Sequence, residues 1–299
     1  MAKARRAQAA GGAGNARRVR LDRELVRRGL ARSRDDAVDL VRSGRVHVDG
    51  RRADKPATEV SMASALLVET PADEQQWASR GAYKLLGALD ALPDLAVKGR
   101  RCLDAGASTG GFTDVLLARG ASAVVAVDVG YGQLVWRLRS DPRVSELDRT
   151  NVRHLTTSDL ASEGSEQRTG RSGRVDLLVA DLSFISLKTV LPALGSLVSA
   201  EGDMLLMVKP QFEVGPARVG KGGVVREAAW RALAVREVAE SAVHQGWGVR
   251  GLVTSPLPGP SGNKEYFVWF RRDAATLDEE TATRVVASDG AWTQAEEAP

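Results

Sequence analysis

The residues with the clearest chemical potential are two charged side chains, each placed after a predicted buried strand. Asp181 follows the apolar run 175–180, and Lys209 follows the apolar run 204–208. Open α/β sheets bind their ligands at the carboxyl ends of the strands, so both side chains are expected at one edge of a sheet. A lysine that ends a buried strand is hard to explain as ordinary surface. The pattern therefore predicts a catalytic role for Lys209 beside Asp181.

A glycine-rich turn earlier in the chain predicts a cofactor that contains a nucleoside. The segment Asp104-Ala-Gly-Ala-Ser-Thr-Gly-Gly-Phe-Thr-Asp114 lies between a short strand at 101–103 and a helix at 112–119. Such a turn lets the backbone approach a ligand closely and directs free N–H groups at it. The next predicted strand, 123–127, ends in Asp128, which is placed to accept hydrogen bonds from ribose hydroxyls.

The spacing of the turn favours S-adenosylmethionine over a dinucleotide. Dinucleotide sites use Gly-x-Gly-x-x-Gly with a pyrophosphate at the helix N-terminus, whereas this turn has the spacing Gly-x-x-x-Gly-Gly and an aspartate before it. A pyrophosphate gains nothing from that carboxylate, while a cofactor with an amine and a sulfonium tolerates it; NAD stays as the alternative. The predicted cofactor-binding residues, the last two as candidates to meet the adenine, are Asp104, Gly106, Ala107, Ser108, Gly110, Gly111, Phe112, Asp128, Asp148 and Asn151.

The composition argues against several classes of protein. The chain has 299 residues, of which 43% are hydrophobic and 27% charged, as in ordinary globular proteins. No apolar run approaches the ~20 residues that span a bilayer, and the basic N-terminus lacks the apolar core of a signal peptide. We therefore expect a cytoplasmic protein with no membrane partner. The single cysteine, Cys102, and three scattered histidines have no metal-ligand spacing, so no metal site is predicted.

Positive charge is concentrated near the N-terminus. Residues 1–60 hold 16 of the 42 Lys and Arg residues and 8 of the 38 Asp and Glu residues, a net charge of +8, and the remainder (26 against 30) nets −4. In this region arginines are interleaved with an apolar stripe at helical spacing. A basic lobe joined to a mildly acidic one suggests nucleic acid held by the first and chemistry by the second. The predicted RNA-binding residues are Arg20, Arg23, Arg27, Arg28, Arg34, Arg45 and Arg51.

These patterns predict a small α+β domain followed by a larger α/β domain with a doubly wound sheet. Two late strands, 247–254 and 265–272, read as a hairpin that suits the antiparallel edge of a methyltransferase sheet. Residues 161–174 read as an exposed low-complexity insertion. The predicted divisions are a disordered basic arm at 1–16, an RNA-binding domain at 17–70, a linker at 71–79, the α/β domain at 80–272 and an acidic disordered tail at 273–299.

Two family resemblances follow from motifs in the chain. The stretch from Arg20-Leu21-Asp22 through Gly44-Arg45-Val46-His47-Val48-Asp49-Gly50 to Lys55-Pro56 resembles the S4 RNA-binding domain. The motifs of the larger domain resemble those of the TlyA family, S4-bearing ribosomal RNA 2′-O-methyltransferases of the FtsJ/RrmJ-like class. Those motifs are Arg80-Gly-Ala-Tyr-Lys84-Leu, the turn at 104–114, Asp181-Leu-Ser-Phe-Ile-Ser, Val208-Lys209-Pro-Gln-Phe-Glu213 and Gly262-Asn-Lys-Glu265-Tyr-Phe.

The TlyA resemblance implies a fold, a substrate and a catalytic set. It implies a class I Rossmann-like methyltransferase domain with a seven-stranded sheet whose last strand is antiparallel. It also implies cytidines of 16S and 23S ribosomal RNA as targets. The family's tetrad falls on Lys84, Asp181, Lys209 and Glu265. A ribose hydroxyl is a weak nucleophile and benefits from a positioned base. We expect Lys209 to be that base, Lys84 to lower its pKa by repulsion and to orient the hydroxyl, and the two acids to hold the lysines.

Rival functions stay open at this point. A non-catalytic RNA-binding or ribosome-assembly factor would need no tetrad, and a pore-forming hemolysin would need a membrane segment. An NAD-linked enzyme is the weaker enzymatic alternative.

Overall fold

The chain folds into two compact units, residues 1–76 and residues 77–299. The computed structural model describes residues 3–7, 18–31, 34–70, 77–162, 173–259 and 261–294. Each unit has a hydrophobic core of its own. Among the described residues, none of the helices combines the length and apolar character needed to cross a bilayer.

The N-terminal unit packs two helices against short antiparallel strands. The predicted apolar stripe is confirmed, because Leu21 and Leu25 are fully buried with Val41, Val46 and Leu66. The strands form a sheet of order β1-β6-β3-β4 and a separate β2-β5 pair. The elements are β1 Lys3–Ala7, β2 Arg18–Arg20, α1 Leu21–Arg27, α2 Arg34–Arg42, β3 Val46–Val48, β4 Arg51–Arg52, β5 Glu59–Ser61 and β6 Leu66–Thr70.

Part of the predicted basic arm is a strand. Residues 3–7, expected to be disordered, form β1 and pair antiparallel with β6 from Lys3↔Thr70 to Ala7↔Leu66. Unpaired N–H and C=O groups at a sheet edge accept another strand readily, whatever the local composition. Residues 1–2 and 8–16 of the arm lie outside the described residues.

The second unit is built on one mixed sheet of order β14-β12-β13-β11-β10-β7-β8-β9. Strands β7 to β11 run parallel, and β13 lies antiparallel between β11 and β12. The elements are α3 Gly81–Ala91, β7 Arg101–Ala105, α4 Gly111–Ala118, β8 Ala123–Val127, α5 Trp136–Arg139, β9 Val144–Leu147, α6 Thr157–Ser162, β10 Val175–Ala180, α7 Leu187–Leu197, β11 Val198–Val208, α8 Pro210–Glu213, α9 Ala228–Val243, β12 Gly248–Thr254, β13 Tyr266–Arg271, α10 Glu279–Ser288 and β14 Ala291–Thr293.

Both faces of this sheet are covered, which explains its continuous apolar strands. Leu177 and Val179 of β10 belong to one core cluster, and Leu178 and Ala180 belong to the other. Alternating residues of a strand point to opposite faces, so a strand buried on both sides is apolar throughout. Cys102 of β7 is fully buried, and burial raises the pKa of its thiol to about 12.

The predicted acidic tail is largely structured, so the sheet has eight strands rather than the expected seven. Within residues 273–299, α10 buries Ala282, Val285 and Val286, and β14 pairs with β12. Asp278 begins α10 as its N-cap by accepting a hydrogen bond from Thr281 N–H at 2.7 Å. The acidic composition hid this apolar stripe, because the acids lie on the exposed side and at the helix start.

The boundary between the units lies inside the predicted linker. Trp77 and Ala78 are buried in the core of the second unit, so the last residues of the 71–79 stretch belong to that unit. Residues 71–76 lie outside the described residues. The same is true of residues 163–172, which make up most of the predicted insertion.

Candidate active site

The predicted tetrad assembles at one edge of the large sheet. Ala180 of β10 pairs with Leu206 of β11, and Val208 of β11 pairs with Tyr266 of β13. Asp181 and Lys209 follow the ends of β10 and β11, and Glu265 directly precedes the antiparallel β13. The backbones of three tetrad residues therefore leave three neighbouring strands at the same edge.

Lys209 is held by two partners from the loop that follows β10. Its Nζ lies 2.6 Å from Asp181 Oδ1 as an ion pair, and it donates a hydrogen bond to Ser183 Oγ at 2.8 Å. Lys209 is buried, whereas Ser183 is exposed. The amine is thus fixed at the border between the protein interior and the solvent.

Lys84 forms the second ion pair of the tetrad. From α3 its Nζ donates to Glu265 Oε2 at 2.5 Å, and both side chains are buried, with exposures of 8% and 1%. Glu265 Oε1 is buried without a hydrogen-bond partner among the described residues. The structure therefore gives each lysine its own carboxylate, one pair joining β10 to β11 and the other joining α3 to β13.

The loop after Asp181 presents an aromatic ring that the sequence reasoning did not select. Phe184 is 91% exposed, its φ is +64°, and its ring lies 5.4 Å from that of Phe212. A bulky residue at positive φ is a genuine outlier that clusters at functional sites. The ring is therefore displayed beside Ser183 by a strained backbone. Its place inside the Asp181-Leu-Ser-Phe motif was the available signal.

Glu213 fastens this loop to the segment that carries Lys209. Its carboxylate accepts hydrogen bonds from Ser186 Oγ at 2.6 Å and from Leu187 N–H at 2.7 Å, at the start of α7. Burial raises the pKa of Glu213 above its ordinary value. Glu213 was also absent from the predicted site, although it closes the Lys209-Pro-Gln-Phe-Glu motif.

The glycine turn is held together by Asp104. Its Oδ2 accepts hydrogen bonds from Thr113 N–H at 2.8 Å and Thr113 Oγ1 at 2.7 Å, which fixes the end of β7 to the first turn of α4. The side chain is fully buried, and Oδ1 has no hydrogen-bond partner among the described residues. Burial is the main reason that the pKa of Asp104 is raised to about 7.

Three amides at the start of the turn are directed into the protein rather than at a ligand. Gly106 and Ala107 N–H groups both donate to Val127 O, at 2.9 and 3.1 Å. Ser108 N–H donates to Asp128 Oδ2 at 2.8 Å, and Gly130 N–H donates to Asp128 Oδ1 at 2.7 Å. Asp128 therefore ties two loops together, and each of its oxygens keeps a lone pair for a further donor.

Close packing accounts for three further predicted cofactor residues. A Cβ on Gly110 would lie 2.4 Å from Leu138 Cδ1, and a Cβ on Gly111 would lie 2.2 Å from Ser79 Oγ. The Phe112 ring is buried, 5.9 Å from that of Phe267. These three residues position the turn, and their side chains or Cβ positions face protein.

Gly106 brings the turn against the tetrad. Its φ is +87°, and a Cβ there would lie 2.8 Å from Asp181 O. The turn is thus in direct contact with the catalytic edge, the edge of the sheet that carries the predicted residues Asp181, Lys209 and Glu265.

The two candidate adenine contacts occupy loops after β9. Asp148 Oδ2 accepts from Gly132 N–H at 2.7 Å, so it holds the loop that follows Asp128. Asn151 is exposed, and its Oδ1 accepts from Arg153 N–H at 3.0 Å. Both side chains make turn-forming bonds, and both stay predictions as ligand contacts.

In the N-terminal unit, two buried acids engage four of the seven predicted RNA-binding arginines. Asp22 pairs with Arg20 at 2.7 Å and with Arg34 at 3.2 Å, and these bonds lower the pKa of Asp22 to about 2. Glu24 pairs with Arg27 at 2.6 Å, which is the main cause of the lowered pKa of Glu24. Part of the charge of these arginines is therefore neutralised within the unit.

Arg28, another predicted RNA-binding residue, is held by three hydrogen bonds within the unit. Its guanidinium is buried, bonded to Glu24 Oε1, Ser64 O and Met62 O, each at 2.7 Å. It therefore connects α1 to the turn after β5, and the three bonds use three of the five N–H groups of its guanidinium. Sequence spacing could not reveal this, because two of its three partners are backbone carbonyls 34 and 36 residues away.

The remaining predicted arginines are Arg23, Arg45 and Arg51. Arg23 and Arg51 are exposed, and neither side chain has a partner within the described part of the unit. Arg45 Nε donates to Glu69 O at 2.8 Å. Arg23 and Arg51 are thus the most available of the seven predicted cations. No cluster of three or more potential metal ligands occurs among the described residues.

Comparisons with known proteins agree with both units. The model of the FtsJ-like methyltransferase family matches residues 77–272, and the S4 domain model matches residues 19–64. The 16S/23S rRNA (cytidine-2′-O)-methyltransferase TlyA of Mycobacterium tuberculosis is 59% identical over 256 residues, which cover 86% of this chain and 91% of that protein. The chain belongs to the TlyA family of FtsJ-like methyltransferases.

Other members of the TlyA family carry a different name. Hemolysin A of Brachyspira hyodysenteriae is 31% identical, covering 84% of this chain and 99% of that protein. A solved structure of a hemolysin-like protein from Streptococcus thermophilus is 36% identical, with a TM-score of 0.70, covering 91% of this chain and 95% of that one. The family model begins at Trp77, where the second unit of this TlyA-family chain also begins.

Proposed function

We propose that this chain is an S-adenosylmethionine-dependent 2′-O-methyltransferase that acts on cytidines of 16S and 23S ribosomal RNA. The observation that carries the proposal is the pair of lysine–carboxylate contacts, Lys209–Asp181 and Lys84–Glu265, at the sheet edge beside the glycine turn. The M. tuberculosis relative, named for this activity, is similar over almost its whole length.

The residues around the glycine turn fit S-adenosylmethionine. Asp104 Oδ1 is a buried acceptor without a partner among the described residues, and an ammonium donor would satisfy it. Asp128 keeps acceptor capacity for ribose hydroxyls, and Val129 beside it is 70% exposed and offers an apolar surface to an adenine. When bound, the cofactor supplies an electrophilic methyl group on a sulfonium. We propose Asp104, Asp128, Asp148 and Asn151 as the side chains that hold it.

Lys209 is the proposed base. In the proposed reaction, its Nζ takes the proton of the ribose 2′-hydroxyl. Asp181 and Ser183 fix the direction of Nζ, and the Asp181 carboxylate stabilises the ammonium that forms. Lys84, held by Glu265, is proposed to orient the hydroxyl. A fixed alignment of this kind lowers the entropy cost of bringing the reacting groups together.

Two features support RNA as the acceptor. The exposed Phe184 ring, next to the residue that holds Lys209, offers a stacking surface for a nucleobase. The N-terminal unit displays Arg23 and Arg51 without internal partners among the described residues, as phosphate contacts require. A non-catalytic RNA-binding factor would have no use for the two lysine–carboxylate pairs, of which Lys84–Glu265 is buried on both sides.

Methyl transfer from labelled S-adenosylmethionine to isolated small and large ribosomal subunits tests the proposal. We expect wild type and the surface control Lys98→Ala to give an alkali-resistant labelled linkage, and Lys209→Ala to be slower by roughly 10²- to 10⁴-fold with cofactor affinity retained. If Lys209→Ala turned over like wild type with cofactor bound, Lys209 would not be the base. No incorporation by wild type into any subunit would reject the proposed substrate. Thermal stabilisation by S-adenosylhomocysteine but not by NADH would exclude the NAD alternative.

A further inference from the structure

Residues 77–299, the catalytic unit, contain one basic segment that has no part in the site described so far. Residues 215–226, the basic hairpin, contain Arg218, Lys221 and Arg226 and no acidic residue. They include a 3₁₀ turn at Pro216–Arg218 and a bridge between Gly220 and Val224. All three cations are exposed.

The base of the hairpin is fixed to the catalytic edge. Asn263 is buried; its Oδ1 accepts from Val225 N–H at 2.9 Å, and its Nδ2 donates to Gly223 O at 2.8 Å. Asn263 lies two residues before Glu265, and the other end of the hairpin begins two residues after Glu213. The hairpin therefore lies between the segment that carries Lys209 and the segment that carries Glu265.

A buried arginine holds the same end from a second direction. Arg231 of α9 donates through Nη1 to Arg226 O at 2.5 Å and through Nε to Tyr266 OH at 3.0 Å. The backbone at 225–226 is thus tied to α9 and, through Tyr266, to β13.

The tip of the hairpin is open. Gly222 and Gly223 have φ values of +82° and +77°, and a Cβ at either position would meet nothing within 4 Å. Lys221 has no partner within the described ranges. The Arg218 guanidinium lies 4.5 Å from the centroid of Trp230, which orients it while its N–H groups stay available.

We propose that the basic hairpin binds the phosphate backbone of the RNA beside the target nucleotide. This inference rests on the proposed function. The catalytic unit holds 26 Lys and Arg residues against 27 Asp and Glu residues, so a segment with three cations and no acid stands out at its catalytic edge. Val219 and Val224 are half-buried and Val225 is buried, so the hairpin offers charge and backbone rather than an apolar surface for a protein. Contacts with phosphates need positively charged side chains and do not need recognition of bases.

Charge removal at the tip tests the proposal in the full-length protein. We expect Lys221→Gln and Arg218→Gln each to raise KM for the subunit roughly 3-fold and to lower the slope of log affinity against log salt by about 0.7 to 0.9. The cofactor Kd and kcat at saturating subunit should not change. Lys98→Gln is the matched control, since this exposed lysine precedes β7 and so lies at the opposite edge of the sheet. Unchanged KM and salt slope in both hairpin variants would overturn the inference.

Cross-linking identifies what the hairpin touches. The only cysteine, Cys102, is buried, so Lys221→Cys can be labelled selectively with a photoactivated cross-linker. Cross-links to ribosomal RNA near the methylated nucleotide are expected, whereas cross-links confined to a ribosomal protein would show that the hairpin binds protein instead.

The proposed function and the proposed role of the hairpin can fail separately. A wild type that methylates no ribosomal RNA rejects the function, while an active wild type with inert hairpin variants rejects only this inference.

Discussion

The buried contact between Lys84 and Glu265 stabilises the fold only while both partners are present. Lys84→Met would leave the Glu265 carboxylate buried and unpaired, and we expect a loss of about 3 to 5 kcal/mol in the free energy of unfolding. All six tryptophans lie in the catalytic unit, so their fluorescence during urea unfolding reports on that unit.

A second substitution separates the lost pair from lost packing. The double variant Lys84→Met/Glu265→Gln removes the orphaned charge and should recover part of the lost stability, whereas neither variant should recover methyl transfer, since both lack the proposed Lys84. Exposed Lys98→Met should unfold like wild type. A Lys84→Met protein as stable as wild type would contradict the buried pairing.

Asp104 makes stability depend on pH in a defined window. Its pKa is about 7 in the folded protein, against an ordinary value of 3.8, so between these values the unfolded chain alone gives up the proton. The stability contributed by Asp104 is therefore present in full below about pH 4, falls as pH rises to about 7, and is constant above that. The upper limit of the change is roughly 4 kcal/mol.

Asp104→Asn keeps an acceptor for Thr113 but cannot ionise. We expect the difference in unfolding free energy, wild type minus Asp104→Asn, to decrease between pH 4.5 and pH 7.5 in urea titrations followed by tryptophan fluorescence. A difference that is constant over this range would show that the carboxyl does not titrate there.

The C-terminal helix and strand, α10 and β14, complete the sheet beyond the region that the family model matches. Val285 is buried against the main core, whereas Thr283 on the same helix is exposed. Val285→Asp would bury an unpaired charge or undock the helix, and we expect it to lower Tm by several degrees. Thr283→Asp is the matched control, with the same new charge on the exposed side. Equal Tm values for the two variants would mean that α10 does not pack as described.

Much of the catalytic edge could be predicted from the sequence, because strand order and motif order determine it. Continuous apolar runs identified β8 and β10 and the carboxyl-terminal part of β11, and the side chains that follow β10 and β11 did meet at one edge. The partner of Lys84 could not be derived in this way. Glu265 lies 181 residues away, and only the insertion of β13 beside β11 brings it within reach.

The structural features that were not predicted from the sequence share a physical cause. The internal bonds of Arg28 and the burial of α10 were not apparent from the sequence, because local composition does not reveal contacts with distant parts of the chain. The sequence revealed the glycine turn, but not that the amides of Gly106, Ala107 and Ser108 bond to Val127 O and Asp128. Asn263 and Glu213 were overlooked because their roles consist of hydrogen bonds to loops far along the chain.

The two units differ in charge, and the proposed division of labour follows from that difference. Residues 1–76 hold 16 Lys and Arg residues against 11 Asp and Glu residues, a net charge of +5, while residues 77–299 net −1. Arg23→Gln/Arg51→Gln should weaken subunit binding and lower its salt slope by about 1.4 to 1.8, with cofactor affinity and Tm unchanged.

Arg28→Gln provides the contrast within the same unit. It removes bonds to Glu24, Ser64 and Met62, so it should lower the thermal stability of the N-terminal unit, measured by circular dichroism. Its effect on the salt slope of subunit binding should be smaller than that of Arg23→Gln/Arg51→Gln. Equal effects of both changes on salt slope would place Arg28 on the RNA after all.

The late position of Glu265 also bears on how the protein is made. A nascent chain that ends just before residue 265 already contains the S4 unit, the glycine turn, Asp181 and Lys209, but it lacks both Glu265, which holds Lys84, and the strand that follows it. If activity needs the proposed tetrad, it begins only after nearly nine-tenths of the chain has been translated. A premature stop codon anywhere upstream of that point yields a product that lacks a complete tetrad, however well its earlier parts fold.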